Sequence, residues 1–223
     1  MANSQGDPPT SNYVYKGNKL VKRFQSGSDS EVINTYTGNL MVSTKFITTD
    51  DGVLHQQELY EYDNQRRVIV SRLYVHMNWE DRVIKTIYTY NPDNTVLCQR
   101  FTGNSVSQTT PGSRGKIWLN INGQVLKSED YVNGGLSSRV VNTYDDKNSA
   151  FKNAVGFDKL YGGENTMTHN LLTSTTTYWS NEIVSQVDGF SNTFTYNEEG
   201  YPITRESLTI GASSPSFSQY FYE

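Results

Sequence analysis

Phe194-Thr-Tyr-Asn-Glu-Glu-Gly-Tyr-Pro-Ile-Thr-Arg-Glu-Ser207 reads as two short strands joined by a tight turn. Phe194 and Tyr196 stand two residues apart, so they share one face of a strand, while Thr193 and Thr195 take the other. Asn197-Glu-Glu-Gly200 supplies a turn, with Asn at its first position and glycine where the backbone goes left-handed. Tyr201, Ile203 and Arg205 resume the alternation on the return.

The same plan recurs along the chain. Leu59-Tyr-Glu-Tyr-Asp-Asn-Gln-Arg-Arg-Val-Ile-Val70 places Tyr60 and Tyr62 ahead of Asp63-Asn64, and Ile87-Tyr-Thr-Tyr-Asn-Pro-Asp-Asn-Thr-Val-Leu97 places Tyr88 and Tyr90 ahead of Asn91-Pro-Asp-Asn94. Lys116-Ile-Trp-Leu-Asn-Ile-Asn-Gly-Gln-Val-Leu126 carries Trp118 and an Asn122-Gly123 hairpin signal. Further copies begin near Tyr13, Tyr36 and Tyr144. A repeat of roughly 20 to 30 residues implies a quasi-one-dimensional array in which each hairpin buries its face against its neighbours. Tight turns pair strands in sequence order, which gives an antiparallel meander of about 12 to 16 strands. Natural twist coils so wide a sheet. The sequence therefore predicts an all-β fold: repeated β-hairpins forming a curled sheet or partly open barrel with a concave side.

Composition agrees. Aromatics make up 13% of the 223 residues, with 16 Tyr, while the mean hydropathy is −0.63. Tyr, Thr and Val suit a pleated, half-wetted surface better than a helix. One departure is expected: Asn148-Ser-Ala-Phe-Lys-Asn-Ala-Val-Gly-Phe-Asp-Lys-Leu160 spaces Phe151, Ala154 and Val155 as on a helix after a capping Asn or Ser. That predicts one short helix near 149–160. Residues 1–11, polar and Pro-containing, read as a flexible tether of the kind left when a leader is removed, and 12–223 as a single repeat-built β domain. The Ser/Thr/Gly/Pro-rich stretch Gly103–Gly115 reads as a loop.

Tyr-x-Tyr-[Asp/Asn]-x-x-Gly-x-[Leu/Pro]-[Ile/Val] resembles the YD repeat of RHS-like bacterial surface and secreted proteins. Tyr60-Glu-Tyr-Asp-Asn-Gln-Arg-Arg-Val and Phe194-Thr-Tyr-Asn-Glu-Glu-Gly-Tyr-Pro-Ile match it best, the first with Arg66 where the glycine belongs. Thr143-Tyr-Asp-Asp-Lys-Asn-Ser-Ala-Phe-Lys-Asn-Ala-Val-Gly-Phe157 is similar to a segment of uncharacterised YD-repeat-like bacterial lipoproteins. The resemblance covers most of residues 12–222. It implies a β shell of extracytoplasmic, lipid-anchored origin at the cell surface or in the periplasm, and it implies no catalytic residues.

Net charge −4 and pI near 5.4 give no electrostatic footprint for nucleic acid. No stretch reaches the roughly 18 apolar residues of a membrane helix. The lone Cys98 excludes an intramolecular disulfide and, in its alternating stretch, reads as a small buried hydrophobe. His55, His76 and His169 are scattered without ligand spacing, and there is no Gly-x-Ser-x-Gly, dinucleotide fingerprint or P-loop. No catalytic residue, metal or cofactor is assigned.

Two other patterns carry chemistry. Acidic turns (Asp50-Asp51, Glu80-Asp81, Asp145-Asp146, Glu198-Glu199) offer carboxylate pairs for a glycosidase, and Asp145, Asp146 and Asn148 offer oxygens for calcium, yet turns select these residues for backbone reasons. The aromatic rows are the better candidate. Most rings should be core, since cross-strand aromatic pairs contribute about 0.2–1 kcal/mol each. Where a curled sheet leaves a groove, Tyr60, Tyr62, Tyr88, Tyr90 and Trp118 would make a binding platform. The sequence thus points to a non-enzymatic surface protein that binds a glycan or protein partner. Its rivals are an open barrel carrying a lipid or other apolar ligand, a glycoside-acting enzyme using turn carboxylates, and a purely structural shell.

Overall fold

A computed structural model describes residues 10–77, 80–161 and 168–222. These form fifteen antiparallel strands: β1 (Ser11–Lys16), β2 (Lys19–Gln25), β3 (Ser30–Thr37), β4 (Leu40–Thr48), β5 (Leu54–Tyr62), β6 (Val68–Met77), β7 (Glu80–Tyr90), β8 (Thr95–Gly103), β9 (Gln108–Leu119), β10 (Val125–Val132), β11 (Gly135–Tyr144), β12 (Leu171–Ser180), β13 (Ile183–Tyr196), β14 (Pro202–Thr209) and β15 (Ser216–Gln219). They pair strictly in chain order from β1 to β15 in one sheet that does not close. The all-β meander is as expected. Residues 1–9 of the expected tether lie outside the described residues, and Ser11, at its end, already opens β1. The loop expected over 103–115 is shorter than expected, because β9 begins at Gln108 and pairs with β8.

Three of the hairpin turns are built the same way. In the opening hairpin, Asn197 Oδ1 accepts from the amides of Glu199 (3.1 Å) and Tyr201 (2.8 Å), and Gly200 takes φ +78°. Asp63 and Asn120 repeat this Asx pattern. Arg66 occupies the glycine position of its turn at φ +64°, a conformation disfavoured for a side chain with Cβ.

A bulge follows the turn in most hairpins, though β6–β7 and β7–β8 pair without one. Thr195 pairs with Thr204 but Tyr196 pairs with Pro202, so Ile203 is the extra residue. The same shift leaves Val21, Val42, Ile69, Leu126 and Leu172 extra in β2, β4, β6, β10 and β12. A bulge increases local twist and removes backbone groups from the ladder, so its repetition coils the sheet. It also creates a bonding pattern between hairpins. At several of these bulges the preceding residue is buried (Leu20, Met41 and Val68 are each 1% exposed), and its carbonyl accepts a tyrosine hydroxyl from further along the chain. Tyr36 donates to Leu20 O (3.0 Å), Tyr62 to Met41 O (2.5 Å), Tyr90 to Val68 O (2.8 Å), Tyr144 to Val125 O (2.8 Å) and Tyr222 to Pro202 O (2.8 Å).

In place of the helix expected over 149–160, the chain makes two successive turns and one 3₁₀ turn, Phe157–Lys159. Lys152 N bonds Ser149 O and Ala154 N bonds Phe151 O, but Val155 N turns away to Asn18 O between β1 and β2. Gly156 then takes φ +93° against Tyr36 and Met41. Docking on the sheet replaces the helical ladder.

That segment fixes the curvature. Asn148 N bonds Gly200 O in the β13–β14 turn, while Val155 N, seven residues on, bonds Asn18 O. Seven residues reach at most about 25 Å. In a flat sheet those turns, twelve strand spacings apart, would be separated by about 58 Å. The sheet therefore wraps round residues 145–161, with the tyrosine face inside: Phe151 meets Tyr13 at 5.2 Å and Tyr161 meets Tyr88 at 5.9 Å. Buried Ala154 and Ser149 sit in this plug, closing the end where Leu20, Met41, Val68, Val96 and Pro202 form the apolar core.

Candidate functional site

Strand register assigns each expected platform residue to a face. Tyr60 lies opposite Ser71, Ser71 opposite Thr86, and Thr86 opposite Arg100, one row across β5, β6, β7 and β8 on the concave face. Tyr62, Tyr88 and Tyr90 share that face by alternation. All four rings are half-buried. Trp118 is on the convex face instead, opposite Thr95 and Lys127, with the Lys127 ammonium 3.6 Å from its ring centroid. The structure thus brings four of the five residues together and separates the fifth.

The four tyrosines divide by position. Tyr62 and Tyr90 serve the backbone at the plugged end, and Tyr90 also carries the Arg67 guanidinium 4.4 Å from its centroid. Burial first, then the hydrogen bond with Tyr161, raises the Tyr90 phenol far above its ordinary value. Tyr60 and Tyr88 are bonded to side chains on the concave surface. Tyr60 donates to Glu58 Oε2 (3.0 Å), and burial followed by that carboxylate raises its pKa. Tyr88 stands 3.4 Å from Ser71 Oγ and burial pushes it up to about 12.

Next to them lies a charged pair. Arg100 in β8 reaches over β9 to Asp130 in β10 (2.5 Å) and also donates to Ser113 Oγ (2.9 Å). Gly115 in β9 makes the crossing possible: a Cβ there would lie 2.9 Å from Asp130 Oδ1. Both charged side chains remain about a third exposed (34% and 37%). Cys98, in the adjoining row, is 4% exposed and its thiol is pushed up to about 11 by burial, so the thiolate nucleophile is scarce at neutral pH. The concave face therefore offers two phenols, two carboxylates, a guanidinium and hydroxyls, a set that holds a polar ligand by hydrogen bonds and ring contact. Glu58, Arg100 and Asp130 escaped the sequence reading, although Arg100 is in phase with Val96 and Cys98 on a strand whose inward positions were identifiable.

Two of the acidic turns are held by the backbone, through Asp51 and Asp145, and the side chains of Glu80 and Asp81 lie outside the described residues. Asp145 Oδ1 accepts from the amides of Lys147 (3.1 Å) and Asn170 (2.9 Å), and its Oδ2 accepts from Asn170 Nδ2 (3.0 Å) and the Tyr196 hydroxyl (2.5 Å). Asp51 and Asp93 likewise accept from amides two residues on. Among the described residues no group of three or more His, Cys, Asp or Glu is placed to hold a metal ion, and no helix is long and apolar enough to cross a membrane.

No family model and no curated protein matches the chain. Solved structures do. A porin-like protein of Bacteroides vulgatus superposes with TM-score 0.55 at 10% identity, over 97% of this chain and 92% of that one. A porin-like protein of Bacteroides uniformis gives 0.45 at 10% identity, over 97% and 91%. A protein of unknown function from Bacteroides fragilis gives 0.36 at 16% identity, over 48% of this chain and 82% of that one. The first likeness supports the porin-like β fold and nothing further.

Proposed function

We propose that this is a non-enzymatic, extracytoplasmic bacterial protein that binds a glycan on its concave face. The observation that carries the reading is the row Tyr60–Ser71–Thr86–Arg100 with Glu58, Tyr88 and Asp130 beside it: aromatic rings interleaved with paired donors and acceptors on a surface held rigid by the sheet. Polar lining favours a sugar over the lipid or other apolar ligand that a dry cavity would take. The buried thiol and the backbone-engaged carboxylates of Asp51 and Asp145 support binding over catalysis.

A pore in a bilayer is the rival that the fold itself raises. A lipid-facing sheet presents an apolar band. Here the convex rows carry Lys45, Arg72, Lys85, Lys116, Glu129 and Arg139 in mid-strand, which supports a water-facing exterior. The YD-repeat resemblance supports a lipid-anchored place at the surface or in the periplasm, and the likeness to a porin-like protein of Bacteroides vulgatus agrees with an extracytoplasmic one.

Screening the whole chain on a glycan array tests this. Binding that falls at least tenfold in Arg100→Ala and Tyr60→Phe/Tyr88→Phe variants that melt as the parent does is expected, since a hydrogen bond to a charged group is worth about 1.5–3 kcal/mol. Absence of any glycan signal, or signal indifferent to these variants, refutes the proposal; a protein captured through the same residues would replace the glycan with a protein partner.

A further inference from the structure

The convex face holds a second cluster, independent of the concave one. Register places Arg114, Lys116 and Trp118 of β9 opposite Tyr131, Glu129 and Lys127 of β10. Arg139 of β11 lies opposite Glu129, and Thr177 of β12 opposite Arg139, with Trp179 two residues further on the same face. Four cations thus surround one carboxylate in a chain whose net charge is −4. Asp93 in the β7–β8 turn is another carboxylate influenced by Lys116.

Three of the four cations are held, not loose. Glu129 is 7% exposed and accepts from Tyr131 Oη (2.6 Å), Arg139 Nε (2.8 Å) and Lys127 Nζ (3.3 Å). Lys127 and Lys116 lie 3.6 and 5.0 Å from the Trp118 centroid, and the Arg139 guanidinium 5.4 Å from that of Trp179. Indole faces and a buried carboxylate restrict these long side chains, which lowers the entropy lost when they grip a ligand. Arg139 uses only Nε toward Glu129, which leaves its two terminal nitrogens for a bidentate contact. Its side chain is 40% exposed. Arg114 is exposed, and neither it nor Lys116 has an ion-pair partner among the described residues.

We propose that this convex cluster of Arg114, Lys116, Lys127 and Arg139, set by Glu129, Trp118 and Trp179, is a binding site for an acidic polysaccharide, whose carboxylate or sulfate groups the four cations take. The charge pattern selects the class. Both indoles already carry a cation, so they are not free to stack on neutral sugar rings or on bases. Lys116 and Arg139 stand two strands apart, about 10 Å, which suits charged groups repeated along an extended chain. The patch is short and the molecule around it acidic, unlike the long basic track that single-stranded nucleic acid needs.

Affinity electrophoresis of the whole chain through gels containing polygalacturonate, dextran sulfate, neutral dextran or single-stranded DNA tests the site. Retardation by either acidic polysaccharide, weakening as salt rises, and none by neutral dextran is expected. The Lys116→Gln/Arg139→Gln double variant should bind about tenfold or more weakly, and Lys116→Gln, which breaks no ion pair, should weaken binding on its own. Arg72→Gln, on the same face but away from the cluster, should bind as the parent does. No retardation by either acidic polymer, equal retardation by DNA, or loss caused equally by Arg72→Gln overturns the assignment. Arg100→Ala separates the two sites, since it should abolish concave-face binding and leave this retardation unchanged.

Discussion

Replacing Tyr62 by Phe removes one hydroxyl and leaves the ring in place. Its partner, Met41 O, belongs to a residue 1% exposed, so water cannot replace the lost donor. The loss combines a net hydrogen bond with a buried unsatisfied carbonyl, about 2 kcal/mol in all. Tyr144→Phe removes the equivalent hydroxyl from Val125 O, but there Asn142 Nδ2 also donates, at 2.9 Å. The carbonyl stays satisfied, and the cost should be about 1 kcal/mol or less. Tyr74→Phe, on the convex face with no hydroxyl partner among the described residues, should change stability by less than about 0.5 kcal/mol. Urea titrations followed by fluorescence and circular dichroism give the three values, and melting should drop by about 2–4 °C per kcal/mol in a chain of this size. Equal costs for Tyr62→Phe and Tyr74→Phe, or a larger cost for Tyr144→Phe than for Tyr62→Phe, would refute the inter-hairpin bond as a source of stability.

Alkaline unfolding should follow from the same tyrosines. Burial pushes Tyr36, Tyr88, Tyr144 and Tyr222 from 10.0 up to about 12, so the folded chain holds these protons more tightly than the unfolded one. Their contribution is complete below pH 10 and is lost as pH rises toward 12; ultraviolet titration should show late phenols ionising together with loss of structure, and independent ionisation near pH 10 in an intact fold would contradict it. Gly115→Ala should split Arg100 from Asp130 and cost about 1–3 kcal/mol, measured by denaturation and by loss of concave-face binding. Gly156→Ala meets Tyr36 Cε1 at 2.9 Å with φ at +93°, so it should loosen the plug and admit proteases within 145–161 while the strands stay protected. Glu129 is pushed up by burial, but hydrogen bonds from Tyr131, Arg139 and Lys127 outweigh this and hold it below its ordinary 4.5. Its contribution should be present above about pH 4.5 and fade as pH falls through the lower folded value, a loss that Glu129→Gln removes.

Much of the sheet was legible because alternation and turn chemistry are local. Tyr60 and Tyr62, then Asp63, announce a strand and its turn whatever surrounds them. The concave side followed from repeat number and twist. Four features were harder to read. The helix expected over 149–160 depended on spacing, and the bond from Val155 to Asn18, more than a hundred residues away, decides against it. The bulge at Val21, Val42, Ile69 and Ile203 coincides with the [Leu/Pro]-[Ile/Val] step of the repeat, yet propensity makes such pairs ordinary strand residues. Trp118 resembles the tyrosines by residue type alone. Aligning Asn120 with Asp63 and Asn91 instead puts Leu119 and Ile117 in the tyrosine positions and Trp118 between them, and a slip of one residue reverses the face. Glu58, Arg100 and Asp130 meet only through sheet register, across strands that the sequence does not number.

Every assignment of concave and convex rests on the sheet wrapping round residues 145–161, and a distance across its mouth tests that directly. Nitroxides placed by Lys16→Cys and Glu198→Cys in a Cys98→Ser background label the β1–β2 and β13–β14 turn ends, both exposed, for pulsed electron paramagnetic resonance. The short segment joining those turns sets the expected separation at about 30 Å or less. A distribution centred at about 55–60 Å, the span of a flat sheet, would contradict it.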